Sequence, residues 1–350
     1  GVGSRPGARE AMAAGREASA GTTPRDSGLA PAVAACDGNG ACRALDAGAM
    51  CPSYRVTLSE RDAPRGRANT LRLALEGRFG PRGLAAPEVA EAMSLCVGCK
   101  ACRSECPAGV DLSRMRIEVL YQQQRAGRRP GLRERALARL PDWAPLAARL
   151  PWLFNLRDRL PGLPALGERL FGLARRPLPR WRRDTFLRAM RRTPPAAPGD
   201  ADVLLLADCF DNHFEPENLH AAMRVLTAAG SRVAVARPAA GDPRPSRPLC
   251  CGRSLLAAGL VDEARAEAAR TVAALAPFVE RGAVVVGLEP ECLLTMRDEY
   301  LALGLGEPAR RLAGAALLLE EFLVREQAAG RPGPRFGAPP WTRAVLHGHC

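Results

Sequence analysis

The stretch Leu95–Pro107 reads LCVGCKACRSECP, with cysteines at Cys96, Cys99, Cys102 and Cys106 and a proline after the last. Two-residue gaps let successive thiolates converge on one compact object. The longer final gap and Pro107 turn the fourth thiolate away from the first three. This is the spacing by which three cysteines take three corners of a [4Fe–4S] cube while the fourth serves a second cluster. A structural zinc site instead uses two ligand pairs separated by about a dozen residues or more. Four cysteines confined to so short a run fit a cluster better than a zinc ion.

The pairing requires a second run, and one lies upstream in CDGNGACRALDAGAMCP, with Cys36, Cys42, Cys51 and Pro52. The Cys-Pro ending matches, but the inner gaps are longer and one cysteine is missing. By the crossing logic, Cys51 completes the set of Cys96, Cys99 and Cys102, and Cys106 joins Cys36 and Cys42. The second set then has three thiolates. A non-cysteine ligand, a water or a three-iron cluster would complete it, and the spacing does not choose among them.

Five of the 12 cysteines remain: Cys209, Cys250, Cys251, Cys292 and Cys350. From Asp202 onward the chain alternates strand and helix patterns: strands over Val203–Ala207, Arg232–Ala236 and Ala283–Gly287, helices over Pro216–Ala229, Asp262–Glu280, Glu291–Leu301 and Gly314–Glu326, and a fourth strand starting at Arg343. Cys209, Cys292 and Cys350 each follow a strand. In a parallel sheet the carboxyl ends of the strands line one crevice, so these three should open toward one edge. Cys250-Cys251 precede Gly252, which permits close backbone approach, and a helix whose positive end favours thiolates.

Upstream, helices are expected over Arg67–Gly77, Pro87–Leu95 and Leu112–Arg125, and short proline-broken helices over 129–200. Residues 1–30, rich in Gly, Ala, Ser, Arg and Pro, read as a flexible lead-in. Arg65, Arg67 and Asn69 either orient the cluster loop or cap and solvate a helix start. His213, His347 and His349 lie near strand ends and are weighed as ligands there against plain structural roles.

The net charge is +13 and Lys100 is the single lysine. No RNP-like motif, zinc-finger spacing or aromatic interleaving accompanies the basic runs, so nucleic acid is not expected as a partner. Leu170–Met190 places Leu, Phe and Trp among arginines, a pattern suited to an anionic membrane surface or to packing on a neighbouring domain. No run of apolar residues is long enough for a transmembrane helix. A long chain with clustered cysteines points to metal in a reducing compartment rather than disulfides. No P-loop, no Ser/His/Asp set and no strand-linked G-x-G-x-x-G is present, so a nucleotide or flavin site is not expected within the chain.

These residues resemble a known family. Cys209…Cys250-Cys251-Gly252…Cys292 is similar to the cysteine-rich CCG domain of heterodisulfide reductase subunits, of the iron–sulfur subunit of glycolate oxidase and of the third subunit of anaerobic glycerol-3-phosphate dehydrogenase. MCPSYRVT (Met50–Thr57), RGRANTLR (Arg65–Arg72), CVGCKACRSECP (Cys96–Pro107), FEPEN (Phe214–Asn218), LCCGRSL (Leu249–Leu255), GLEPECL (Gly287–Leu293) and HGHC (His347–Cys350) look closer still to FAD-linked D-lactate or glycolate dehydrogenases fused to an iron–sulfur region. Where the family often has C-x-x-C, this chain has Glu289-Pro290-Glu291-Cys292, and HGHC resembles the opening of a second CCG repeat. The chain therefore reads as a piece truncated at both ends.

The resemblance implies an α+β protein with four segments: the lead-in, a mainly helical ferredoxin-type domain over 31–128, a connector over 129–200 and an α/β CCG domain with a parallel sheet over 201–350. It implies two [4Fe–4S] clusters, one of them incomplete in cysteine or three-iron, and a further cluster at the CCG site. It also implies FAD in a partner or missing portion, and a quinone or other acceptor. The place would be the cytoplasm, with peripheral contact at the inner membrane face. The activity implied is electron transfer from a 2-hydroxy-acid dehydrogenase; the alternative is a CCG-type thiol/disulfide reductase.

Overall fold

The computed structural model describes residues 28–331 except 47, together with 333–334, 337–338, 342–343 and 345. The described residues fall into two compact units, one holding those up to Pro130 with Leu256–Val261, the other Gly131–Leu255 with those from Asp262 to Val345. The described residues are mainly helical, with one four-stranded parallel sheet among them.

In the first unit, helices run over Leu29–Ala34, Pro52–Thr57, Pro64–Leu75, Pro87–Ser94, Ala101–Glu105 and Leu112–Arg125. Three of them begin on proline, whose fixed φ and missing N–H suit the first helical position. Asp111 caps the last, accepting from the Arg114 amide at 3.0 Å. Its apolar positions Leu112, Met115 and Val119 share one face and join Leu71, Val89 and Met93 in a buried core. That core also takes in Cys42, Cys51 and Cys102, so the cysteine loops rest on packed helices.

The second unit carries β1 (Val203–Leu205), β2 (Val233–Val235), β3 (Val284–Gly287) and β4 (Ala316–Leu318) in the order β2-β1-β3-β4, all parallel. Val203 faces both Val233 and Val284, and Val285 faces Ala316. Val203, Leu205 and Val286 pack with Leu219, Leu226, Phe186 and Phe322. Leu204 and Val285 are equally buried, as expected of a sheet covered on both faces.

Two expectations are corrected. Gly314–Glu326 is not one helix: a helix Gly306–Ala315 ends, β4 follows, and a second helix spans Leu319–Ala328. The run Ala-Ala-Leu-Leu-Leu carries helical propensity, but pairing with β3 prevails over it. The helix expected over Glu291–Leu301 breaks at Asp298 into Pro290–Arg297 and Glu299–Ala302. In the strand expected from Arg343, Ala344 and Leu346–Cys350 lie outside the described residues, so Cys350, His347 and His349 do as well. Among the described residues, no helix is long and apolar enough to cross a membrane.

Candidate metal centres

In the first unit, Cys51, Cys96, Cys99 and Cys102 line one cavity, with Pro52, Ser53, Arg67, Gly98 and Lys100 among its other walls. Cys51 arrives at the start of Pro52–Thr57, and the other three come from the loop and first turn around Ala101–Glu105. The loop curls because Gly98 and Lys100 both adopt left-handed backbone, with φ of 71° and 63°. Among the described residues, no three His, Cys, Asp or Glu side chains close tightly enough on one point to hold a single metal ion. Four thiols lining one cavity are the donor set that a [4Fe–4S] cluster uses.

The four thiols are not electrically alike. Burial pushes the Cys102 thiol up to about 12, so loading a metal there must release its proton. Burial also works against ionising Cys51, yet the Ser53 hydroxyl, the Tyr54 amide and the Arg67 guanidinium outweigh it, and its pKa falls below the usual thiol range. Ser53 Oγ lies 3.2 Å from Cys51 Sγ, and Arg67 Nη1 lies 3.6 Å from it. Arg67 is only 1% exposed, so it neither caps nor solvates a helix start; Asn69 is exposed on the same helix.

Cys36 and Cys42 lie near each other beside Arg65, and burial, opposed by the Arg65 amide, raises the Cys42 thiol. The turn Ala41–Arg43 packs on helix Ala101–Glu105, whose end delivers Cys106. Arg65 donates to Gly38 O at 3.2 Å and pairs with Glu60 at 2.7 Å. Glu105, which the motifs did not single out, accepts from the Ala49 and Met50 amides at 2.7 and 3.0 Å and so steadies the segment leading to Cys51. The motifs do not single out Ser53 either. Both residues adjoin a Cys-Pro step, the only trace in the sequence of either role.

In the second unit, Cys209, Cys250, Cys251 and Cys292 converge. β2 and β3 flank β1, so the chain order reverses between β1 and β3, the place where a parallel sheet opens a crevice at its carboxyl edge. Cys209 follows β1 and Cys292 follows β3, each on a short helix at that edge. Asp208 caps the first, accepting from the Phe210 and Asp211 amides at 2.8 and 3.0 Å. Cys251 Sγ and Cys292 Sγ are 3.1 Å apart. Hydrogen bonds from the Cys209 and Cys251 thiols outweigh burial and pull Cys250 well below the usual range, assisted by the Gly252 amide. Cys209 moves the opposite way, through its bond to Cys250 and through burial.

Gly252 has φ of 77°, and a Cβ there would sit 3.3 Å from Ala264 O. Arg253 ties this turn to the Cys292 helix through Glu291 at 2.6 Å. His213 is buried and its Nδ1 bonds Cys209 O at 2.8 Å, a backbone role rather than a place among the thiols.

Residues 30–110 match the 4Fe-4S dicluster domain family. The D-2-hydroxyglutarate dehydrogenase of Pseudomonas putida is 28% identical across 87% of this chain and 33% of its own length. The Escherichia coli K12 protein of the same name is 26% identical, across 90% of this chain and 34% of its own. The third subunit of the anaerobic glycerol-3-phosphate dehydrogenase of E. coli K12 is 28% identical across 50% of this chain and 42% of its own. The chain thus spans about a third of the length of the first two relatives. No solved structure matches it. The resemblance drawn from the motifs is borne out by the dicluster domain and by the dehydrogenase relatives.

Proposed function

We propose that the chain is the iron–sulfur electron-transfer module of an FAD-linked 2-hydroxy-acid dehydrogenase, an oxidoreductase acting on a CH–OH donor. The observation that carries this reading is the cavity walled by Cys51, Cys96, Cys99 and Cys102, in a segment matching a dicluster domain. In this reading 31–128 is the ferredoxin-type domain, 129–200 a connector and 201–350 the CCG domain.

Cys51, Cys96, Cys99 and Cys102 would hold one [4Fe–4S] cluster. Cys36, Cys42 and Cys106 would hold the second, with a non-cysteine ligand or as a three-iron cluster. Cys209, Cys250, Cys251, Cys292 and Cys350 would form a further metal site. A bound cluster supplies one-electron exchange with little rearrangement, which suits it to serve a flavin that collects two electrons at once. The protein's part is to fix the thiols, to exclude water from the buried ones and to place Arg67 and Ser53 against Cys51.

The name of the two dehydrogenase relatives sets D-2-hydroxyglutarate beside D-lactate and glycolate as the 2-hydroxy acid. A quinone is the proposed acceptor, reached at the inner face of a membrane. The exposed Trp152, Phe154, Leu170 and Phe171, among the many arginines of 149–183, support contact with an anionic bilayer. The test is to load the chain with iron and sulfide, photoreduce it and mix it anaerobically with a short-chain quinone. Reoxidation matching the cluster content is expected; a reduced chain inert to quinones and to other electron acceptors would refute the relay.

The close Cys251–Cys292 pair favours a second reading, a thiol/disulfide reductase of the CCG type. Turnover of a small disulfide by the reduced chain without a flavoprotein would select it.

A further inference from the structure

Arg67 is the only fully buried arginine among the described residues. Its Nε donates to Ala92 O at 2.8 Å, its Nη2 to Ser53 Oγ at 2.9 Å, and its Nη1 faces Cys51 Sγ at 3.6 Å. No carboxylate stands within ion-pair reach of it among the described residues. Other largely buried arginines differ: Arg247 and Arg270 pair with Glu267 at 2.7 and 3.0 Å, and Arg253 with Glu291 at 2.6 Å. A buried cation without an anion is strongly unfavourable, so the one anion its geometry offers is the sulfur of Cys51.

We propose that Arg67 is a positioning residue that raises the reduction potential of the group held at Cys51, Cys96, Cys99 and Cys102, and of that group alone. The inference rests on the proposed ligation by these thiols. Four thiolates outweigh the positive charge of a cubane core, so the assembly is anionic and each added electron deepens its charge. A fixed guanidinium against one ligand sulfur, out of water, lowers the cost of that electron. Ser53 extends the effect, because its hydroxyl, 3.1 Å from Asp62 O and 3.2 Å from Cys51 Sγ, can turn toward the sulfur. Among the described residues the other thiol set has no fully buried arginine beside it. Arg65 is partly exposed and already neutralised by Glu60, and the half-buried Arg72 donates to the Cys36 carbonyl at 3.1 Å, not to a sulfur.

Redox titration followed by EPR on the loaded chain tests this. Arg67→Gln should move one reduced-cluster signal to more negative potential by at least tenfold in the reduction equilibrium, about 59 mV for one electron. Arg67→Lys should restore most of it, and the second signal should not move. An iron-loaded Arg67→Gln chain with both potentials unchanged, or both shifted alike, overturns the inference while leaving the ligation intact. A wild-type chain that takes up no iron removes the ligation and the inference together. Should Arg67→Gln lose its iron, Ser53→Ala decides: a smaller shift of the same signal in the same direction supports the role, and an unmoved potential overturns it.

Discussion

Gly66 sits between Arg65, beside the Cys42 set, and Arg67, beside the Cys51 set, on the helix Pro64–Leu75. The helix lies against the turn Glu60–Asp62, whose Asp62 carbonyl accepts from Ser53 at 3.1 Å. A Cβ on Gly66 would overlap the Glu60 carbonyl oxygen and lie 2.7 Å from its carbon and 3.1 Å from Arg61 Cα. All three are backbone atoms, so no side chain can swing aside. Over-packing costs about 1–3 kcal/mol, and a rigid clash belongs near the upper figure. Alanine recovers about 1 kcal/mol of helix propensity over glycine. The net expectation for Gly66→Ala is a loss of about 2 kcal/mol, or roughly 30-fold faster amide exchange from the helix and turn. Hydrogen-exchange mass spectrometry over residues 50–75 of the intact chain reads this directly, with iron retention measured in parallel. Gly314→Ala is the control, because nothing lies within 4 Å of its added Cβ, and it should not destabilise its helix. Unchanged exchange in Gly66→Ala would refute the reasoning that the close approach of this helix to the Glu60 backbone requires glycine.

Lys100 holds φ of 63°, a conformation costing an L-residue about 1–2 kcal/mol; Lys100→Gly should match or exceed wild-type thermal stability, and the β-branched Lys100→Val should fall below it. Asp202 accepts from the Arg232 guanidinium at 2.6 Å and from the Arg232 amide at 3.0 Å, and the arginine side chain, followed by that amide, holds its carboxyl below the usual 3.8. A depressed folded pKa stabilises above the unfolded value and loses that stability as pH falls through the folded one. Asp202→Ala should therefore lower the urea midpoint at pH 7 by an amount worth at most about 1 kcal/mol for so exposed a pair, and the two proteins should converge below the pH at which the carboxylate protonates. In the metal-free chain, diamide should close Cys251 and Cys292 into a disulfide, both thiols being oxidised as the reagent is reduced to its hydrazine. Thiol counting and peptide mapping check this, and a Cys251→Ser variant should not close it.

The helix Leu112–Arg125 was legible to its end residues because its apolar spacing, its Asp cap and its final arginine agree. The gap before Cys-Pro leads one to expect Cys51 beside the Cys96–Cys102 loop, and those four thiols line one cavity; their joint hold on one cluster is what we propose. β4 was not, because a five-residue run of Ala and Leu has no period to separate strand from helix, and only its neighbour β3 decides. Arg67 was ambiguous for a related reason. Among so many arginines nothing local distinguishes a buried one, and its partners Ala92, Ser53 and Cys51 lie on other segments. Glu105 was hidden likewise, its amide partners lying 56 and 55 residues away.

The central claim is that the first unit binds two iron–sulfur clusters through crossed cysteine sets. Iron and acid-labile sulfide per chain, with EPR of the reduced protein after anaerobic reconstitution, test it most directly on wild type beside Cys51→Ala. Wild type is predicted to show about eight irons, or about seven if one cluster is three-iron, in the first unit, with two interacting reduced-cluster signals. Cys51→Ala should disturb the signal of the Cys96–Cys102 set and spare the other. A wild-type chain that takes up stoichiometric zinc and no iron would contradict the account.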